Sequence, residues 1–161
     1  MGYRGATSGR RDRDRTGGAR SGTRQLADSC RRLLAEQFST RVQWCHGAPG
    51  LITSLATLPH NDQTDELLLS AGDLTWQAGP WNKGSGLCHG TAGNGCAFLA
   101  LHTRTGDERW LERARAFAIH ALEQVEASEP RYSLWTGHIG VALYLRACLD
   151  GWQGMPILDH L

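Results

Sequence analysis

A Gly-x-x-Gly step recurs three times in this chain, and it constrains the fold more than any other feature. The copies are CHGAPG at 45–50, CHGTAG at 88–93 and WTGHIG at 135–140, with their first glycines 43 and 47 residues apart. A period of that size marks a repeat architecture, in which each unit buries its apolar face against the next. An apolar run follows each copy: LITSLATL (51–58), NGCAFLALH (94–102) and VALYLRACL (141–149). Such runs are apolar on nearly every side and predict buried segments, but periodicity alone leaves helix and strand open. The stretch between the second and third copies decides. Trp110, Ala114, Phe117, Ala118, Ala121, Leu122 and Val125 recur at three-to-four spacing, with Arg109, Glu112, Arg113, Glu123 and Glu126 on the other face. That is an amphipathic helix, with Thr105 or Asp107 as its cap.

Each unit therefore reads as a Gly-rich loop, a buried inner helix, a turn and an amphipathic outer helix. Segment 64–78 is the outer helix of the preceding unit, and 24–38 is a weaker one before it. Buried inner helices ringed by amphipathic outer ones predict an all-α protein, an incomplete α/α toroid of about three helix-pair repeats. In such a ring the Gly-rich loops converge at one end. The 161 residues fit one domain with a tail, and 40% hydrophobic residues suffice for a core. Residues 1–32 hold nine Arg against three Asp, although the chain totals 17 basic and 16 acidic residues. The opening stretch nearly lacks large apolar side chains and cannot repay its chain entropy by burial. The expected organisation is a disordered Arg/Gly-rich tail over 1–24 and a toroid domain over 25–161. Without an apolar signal core or a membrane-length run, the chain reads as soluble and cytoplasmic, with no membrane span. The Arg-rich stretch is a solvated charge run, so no nucleic acid is expected as a partner.

Two of the three loops open with Cys-His-Gly. Cys45 and Cys88 are 43 residues apart, far beyond the spacing of a zinc knuckle. In a toroid, however, equivalent loop tips are neighbours, and repeat spacing becomes ligand spacing. Cys45, Cys88 and either His89 or His46 then make a Cys2His zinc site with an open position, the arrangement of catalytic zinc. Soft thiolates favour zinc over magnesium or calcium. A single buried cysteine is ordinarily a small core hydrophobe, and Cys96 and Cys148, within the inner helices, read that way. Cys30 falls in the weak first helix. His60, His102, His120 and His160 have no partner motif, and His138 reads as a loop residue near the same mouth. The glycines read as positions of positive φ or close backbone approach. Glycoside hydrolysis, another chemistry found on α/α toroids, needs two carboxylates at the cleft, and the three loops contain neither Asp nor Glu.

The motifs VQWCHGAPG (42–50), KGSGLCHGTAGNGCAFLAL (83–101) and YSLWTGHIGVALYL (132–145) resemble the C-terminal part of the lanthionine synthetase C-like family. The tandem Cys-His-Gly form leans toward its LanC-like branch, and the resemblance covers roughly residues 41–157. It implies an α/α toroid of seven inner and seven outer helices, and one zinc held by Cys45, Cys88 and His89. His46 then becomes a candidate for catalysis or substrate contact. The implied chemistry activates a thiol, either a peptide cysteine or glutathione, for addition to the β-carbon of dehydroalanine or dehydrobutyrine in a peptide, giving a thioether. An acid must then protonate the enolate at the α-carbon, a task suited to His. The family's upstream Ala-His-Gly motif and its Asp have no counterpart in this sequence. The resemblance therefore leaves a second reading, a non-catalytic zinc- and thiol-binding module or an inactive fragment, with a second chain as the partner that completes the ring.

Overall fold

Glycine stands at the N-cap of three helices, and the loops in front of them explain why. The computed structural model of the chain describes residues 42–80, 84–151 and 155. These form five helices and no strand: α1 (Ala48–Leu55), α2 (Asp62–Ala78), α3 (Thr91–Thr105), α4 (Glu108–Glu126) and α5 (His138–Asp150). Helices α1, α3 and α5 start directly after Gly47, Gly90 and Gly137, with no side-chain cap. At α3 and α5 the preceding main chain caps the helix instead. Thr91 N, Ala92 N and Gly93 N donate to Gly84 O, Ser85 O and Gly86 O at 3.0, 3.0 and 3.4 Å. His138 N likewise donates to Arg131 O at 2.8 Å. These bonds satisfy N–H groups that a helix start otherwise leaves open.

So close a wrap requires the second glycine of each pair. A Cβ at Gly50, Gly93 or Gly140 would fall well inside contact with the carbonyl oxygen six residues earlier, on Trp44, Leu87 or Leu134. The sequence reading put these glycines in loops. They lie in the first helical turn, so each inner helix begins three residues before its apolar run. Close approach is the reason at these positions. Positive φ applies within the three motifs only to Gly47, at 148°. Helix α1 also ends sooner than the run 51–58 suggested. Arg104 Nη1 donates to Ala56 O at 2.6 Å and Leu58 O at 2.8 Å, drawing the chain into the turn before α2.

The outer helices are capped by side chains. Asn61 accepts from Thr64 N and Asp107 from Arg109 N, both at 2.9 Å, which selects Asp107 as the cap of α4. Inner helix α3 stands between α1 and α5, with α2 packed behind α1 and α3, and α4 behind α3 and α5. This is the two-layer arrangement of an α/α toroid, realised over part of its ring. Every residue of α3 from Thr91 to Leu101 is buried. Phe98 stacks on Trp110 and meets Phe117 edge-on, with centroids 6.1 and 5.0 Å apart, at the centre of the two layers. Burial of each Phe contributes roughly 1.5–3 kcal/mol.

Three expectations need correction. Leu122 is 43% exposed, because the small Ala118 and Ala121 form the contact edge and Leu122 is turned about 100° from Ala121. Arg113 is not a solvated charge: it lies 4.6 Å over the Trp110 ring and 5.2 Å over Trp76, and pairs with Asp73 at 2.6 Å. Helix α5 is not buried all round, since Ile139, Leu143 and Leu149 are exposed along one face. No described helix is long and apolar enough to cross a membrane. The tail expected over 1–24, the helix over 24–38, Cys30 and His160 lie outside the described residues.

Candidate metal centre

Two positions before the first glycine of each pair stand Cys45, Cys88 and Trp135, and the main chain links them in series. Cys45 N donates to Cys88 O at 3.0 Å, and Cys88 N donates to Trp135 O at 2.8 Å. Residues far apart in sequence are thereby neighbours at one end of the helical layers. Cys45 Sγ, Cys88 Sγ and a ring nitrogen of His89 lie within 4.8 Å of one another. The sequence left His89 and His46 as alternatives for the third donor, and the folded chain groups His89. His46 is exposed, its N–H donating to Gln43 O at 3.0 Å in a tight turn. His138 starts α5 rather than lying in the loop, and its Nε2 is 3.1 Å from Ser128 Oγ.

The donor set fits a soft divalent cation. Burial pushes the Cys88 thiol above its ordinary pKa, and the Cys45 thiol beside it adds to the effect. A divalent cation bound there would supply the positive charge that favours the Cys88 thiolate. Tetrahedral zinc with Zn–S bonds of about 2.3 Å places two sulfurs about 3.8 Å apart, within the span of this cluster. The donors are half-buried or exposed, so solvent reaches them. Cys96 and Cys148 are different: both are buried in the inner helices, and burial drives both thiols up, away from the reactive thiolate.

Further residues surround the cluster that the repeat pattern did not point to. A small pocket beside it is lined by His89, Arg131, Trp135, Thr136 and three glycines. A more open one is lined by Trp44, Cys45, Leu51 and Ser54 among others. Between first and third loops the rings of Trp44 and Trp135 stack, with centroids 5.3 Å apart and planes 18° from parallel. Gln43, buried just upstream, has its Nε2 3.5 Å from Cys45 Sγ. The sequence carried one usable signal for these: Arg131 stands six residues before Gly137, where the repeat places the capping carbonyl.

Comparison with known proteins shows the family. The family model described as lanthionine synthetase C-like protein matches residues 24–154. The chain is 37% identical over 116 residues to "Glutathione S-transferase LANCL1" of Danio rerio, covering 68% of this chain and 29% of that protein. It is 40% identical over 111 residues to "LanC-like protein GCL1" of Arabidopsis thaliana, covering 62% of this chain and 25% of the relative. The chain thus spans between a quarter and a third of the length of these relatives. With the repeated loops, the two helical layers and a match over most of its length, the chain belongs to the lanthionine synthetase C-like family.

Proposed function

We propose that this chain holds a zinc ion through Cys45, Cys88 and His89 and uses it to activate a thiol for addition to dehydroalanine or dehydrobutyrine in a peptide. The observation that carries the proposal is the convergence of two sulfurs and one imidazole nitrogen within 4.8 Å, from loops 43 residues apart. Zinc bound there would supply the positive charge that lets a thiol lose its proton near neutral pH. The chain's own groups do the rest. The Cys45 N–H to Cys88 O bond keeps the two sulfurs side by side without any ligand. Arg131, which lines the pocket that contains His89, would offer its guanidinium to a carboxylate on the incoming thiol. Glutathione and a peptide cysteine both fit that description, and the glutathione S-transferase name of the zebrafish relative favours glutathione. His46, exposed next to Cys45, would contact the substrate and return a proton to the α-carbon.

Elemental analysis of monodisperse full-length chain tests the first half of the proposal, with one zinc per chain expected and none in a Cys45→Ala/Cys88→Ala double mutant. Incubation with glutathione and a dehydroalanine peptide tests the second half, with a thioether adduct expected by mass spectrometry. Zinc without adduct would leave a thiol-binding module and overturn the catalytic half. Absence of zinc from the wild-type chain would overturn both.

A further inference from the structure

Among the described residues, Gln43 is the one polar side chain buried against Cys45 that neither the repeat nor the proposed chemistry accounts for. It is 7% exposed, and its side-chain Nε2 lies 3.5 Å from Cys45 Sγ. Main-chain bonds set its place: Gln43 pairs with His46 across the turn, and Asn94, fully buried in α3, donates from Nδ2 to Val42 O at 2.9 Å. With Cys45 N held by Cys88 O, the short segment 42–46 is fastened at both ends, so the amide meets the sulfur by construction of the backbone. A buried amide is costly unless it is bonded, and Gln43 Oε1 has no partner among the described residues. Packing alone would be served by Met or Leu. In the other copies the same repeat position holds Gly86 and Ser133, and Ser133 Oγ bonds locally with Thr136. A long amide donor therefore stands only in the copy whose cysteine is exposed.

We propose that Gln43 is a positioning residue, its amide N–H holding Cys45 Sγ toward Cys88 and His89 and drawing negative charge off that sulfur. This rests on the reading of the cluster as a metal site. A hydrogen bond to a ligating thiolate lowers its donation to the metal and leaves more positive charge for an incoming thiol. The amide thus acts on the sulfur, and through it on the metal's pull on substrate.

Cobalt(II) loaded into the full chain provides the test, because sulfur-to-cobalt charge-transfer absorption reports on the thiolates directly. Wild type is expected to take up one cobalt with that absorption. Gln43→Met keeps the shape and removes the donor. It is expected to bind cobalt about tenfold more weakly, because Cys45 Sγ is no longer held toward the other donors, and its charge-transfer band should move to longer wavelength as the sulfur regains electron density. Gln43→Glu, which turns a carboxylate toward the sulfur, should weaken binding further. If Gln43→Met matched wild type in both band and affinity, the residue would be packing only and the proposal would fall while the metal reading stood. If wild type showed no sulfur-to-cobalt band, both would fall. Should the variants fail to fold, the wild type loaded with cadmium-113 still decides: a scalar coupling between the metal and the Gln43 side-chain amide proton is expected, and its absence overturns the proposal.

Discussion

In the loop before α3, Thr91 N donates to Gly84 O, and in the loop before α5, His138 N donates to Arg131 O, seven residues back in both. In both, the second glycine of the pair is pressed against a carbonyl oxygen six residues earlier. Yet where one loop carries Cys88-His89, the other carries Trp135-Thr136, and only the first contributes to the donor cluster. The repeat supplies a backbone, and two residues ahead of the first glycine decide what that backbone does. Even the third copy serves the centre, since Trp135 O accepts the Cys88 N–H and its ring stacks on Trp44.

The largest effect should come from breaking what the two loops share. Gly93→Ala or Gly140→Ala pushes a methyl against main chain that has no rotamer to yield. Either should destabilise the fold by about 3 kcal/mol, read by urea unfolding, and Gly93→Ala should lose metal as well. A loss below about 1 kcal/mol would mean the loops do not wrap their helices this tightly.

Next comes the feature that separates the loops. Cys88→Ser should abolish stoichiometric zinc binding, while metal-free stability stays within about 0.5 kcal/mol of wild type. Elemental analysis and unfolding in chelator check the two halves. A large loss of stability without metal would make Cys88 a core residue like Cys96, and the contrast between copies would collapse.

How much of this was legible beforehand follows the same division. Repeated motifs exposed the inner and outer helices, and the Cys-His pairs exposed Cys45, Cys88 and the His89/His46 alternatives. Helix starts were misplaced by three residues because hydrophobicity marks where the apolar run begins, whereas main-chain capping by residues 84–86 marks where the helix begins. The exposed face of α5 was equally hidden, since an apolar run does not say which of its sides meets a neighbour. Gln43 escaped because the other copies hold Gly86 and Ser133 at its position, and a repeat shows what is common to the copies. Arg104, its side chain 2% exposed and joined to Asp65 at 2.5 Å, gets its partner only when α3 and the α1–α2 turn come together, which no local pattern shows.

A smaller effect is expected from His46, which the fold leaves beside the cluster rather than in it. His46→Ala should retain zinc and stability and lower thiol addition about a hundredfold, the lower end of what a lost general acid costs. Kinetics with zinc-loaded protein measure it. Loss of zinc in this variant would instead put His46 among the ligands and exchange its role with His89.

The smallest effect should fall on the third copy. Trp135→Leu removes the stacked ring, worth about 1 kcal/mol beyond its area, but keeps the carbonyl that accepts the Cys88 N–H. Stability should drop by about that amount in urea unfolding, with zinc stoichiometry unchanged. If zinc were also lost, the indole would be holding Trp44, and through it the Cys45 turn, in place. The third loop would then reach the centre through its side chain as well as its backbone, and the division between shared backbone and local chemistry would have to be redrawn one copy further along the chain.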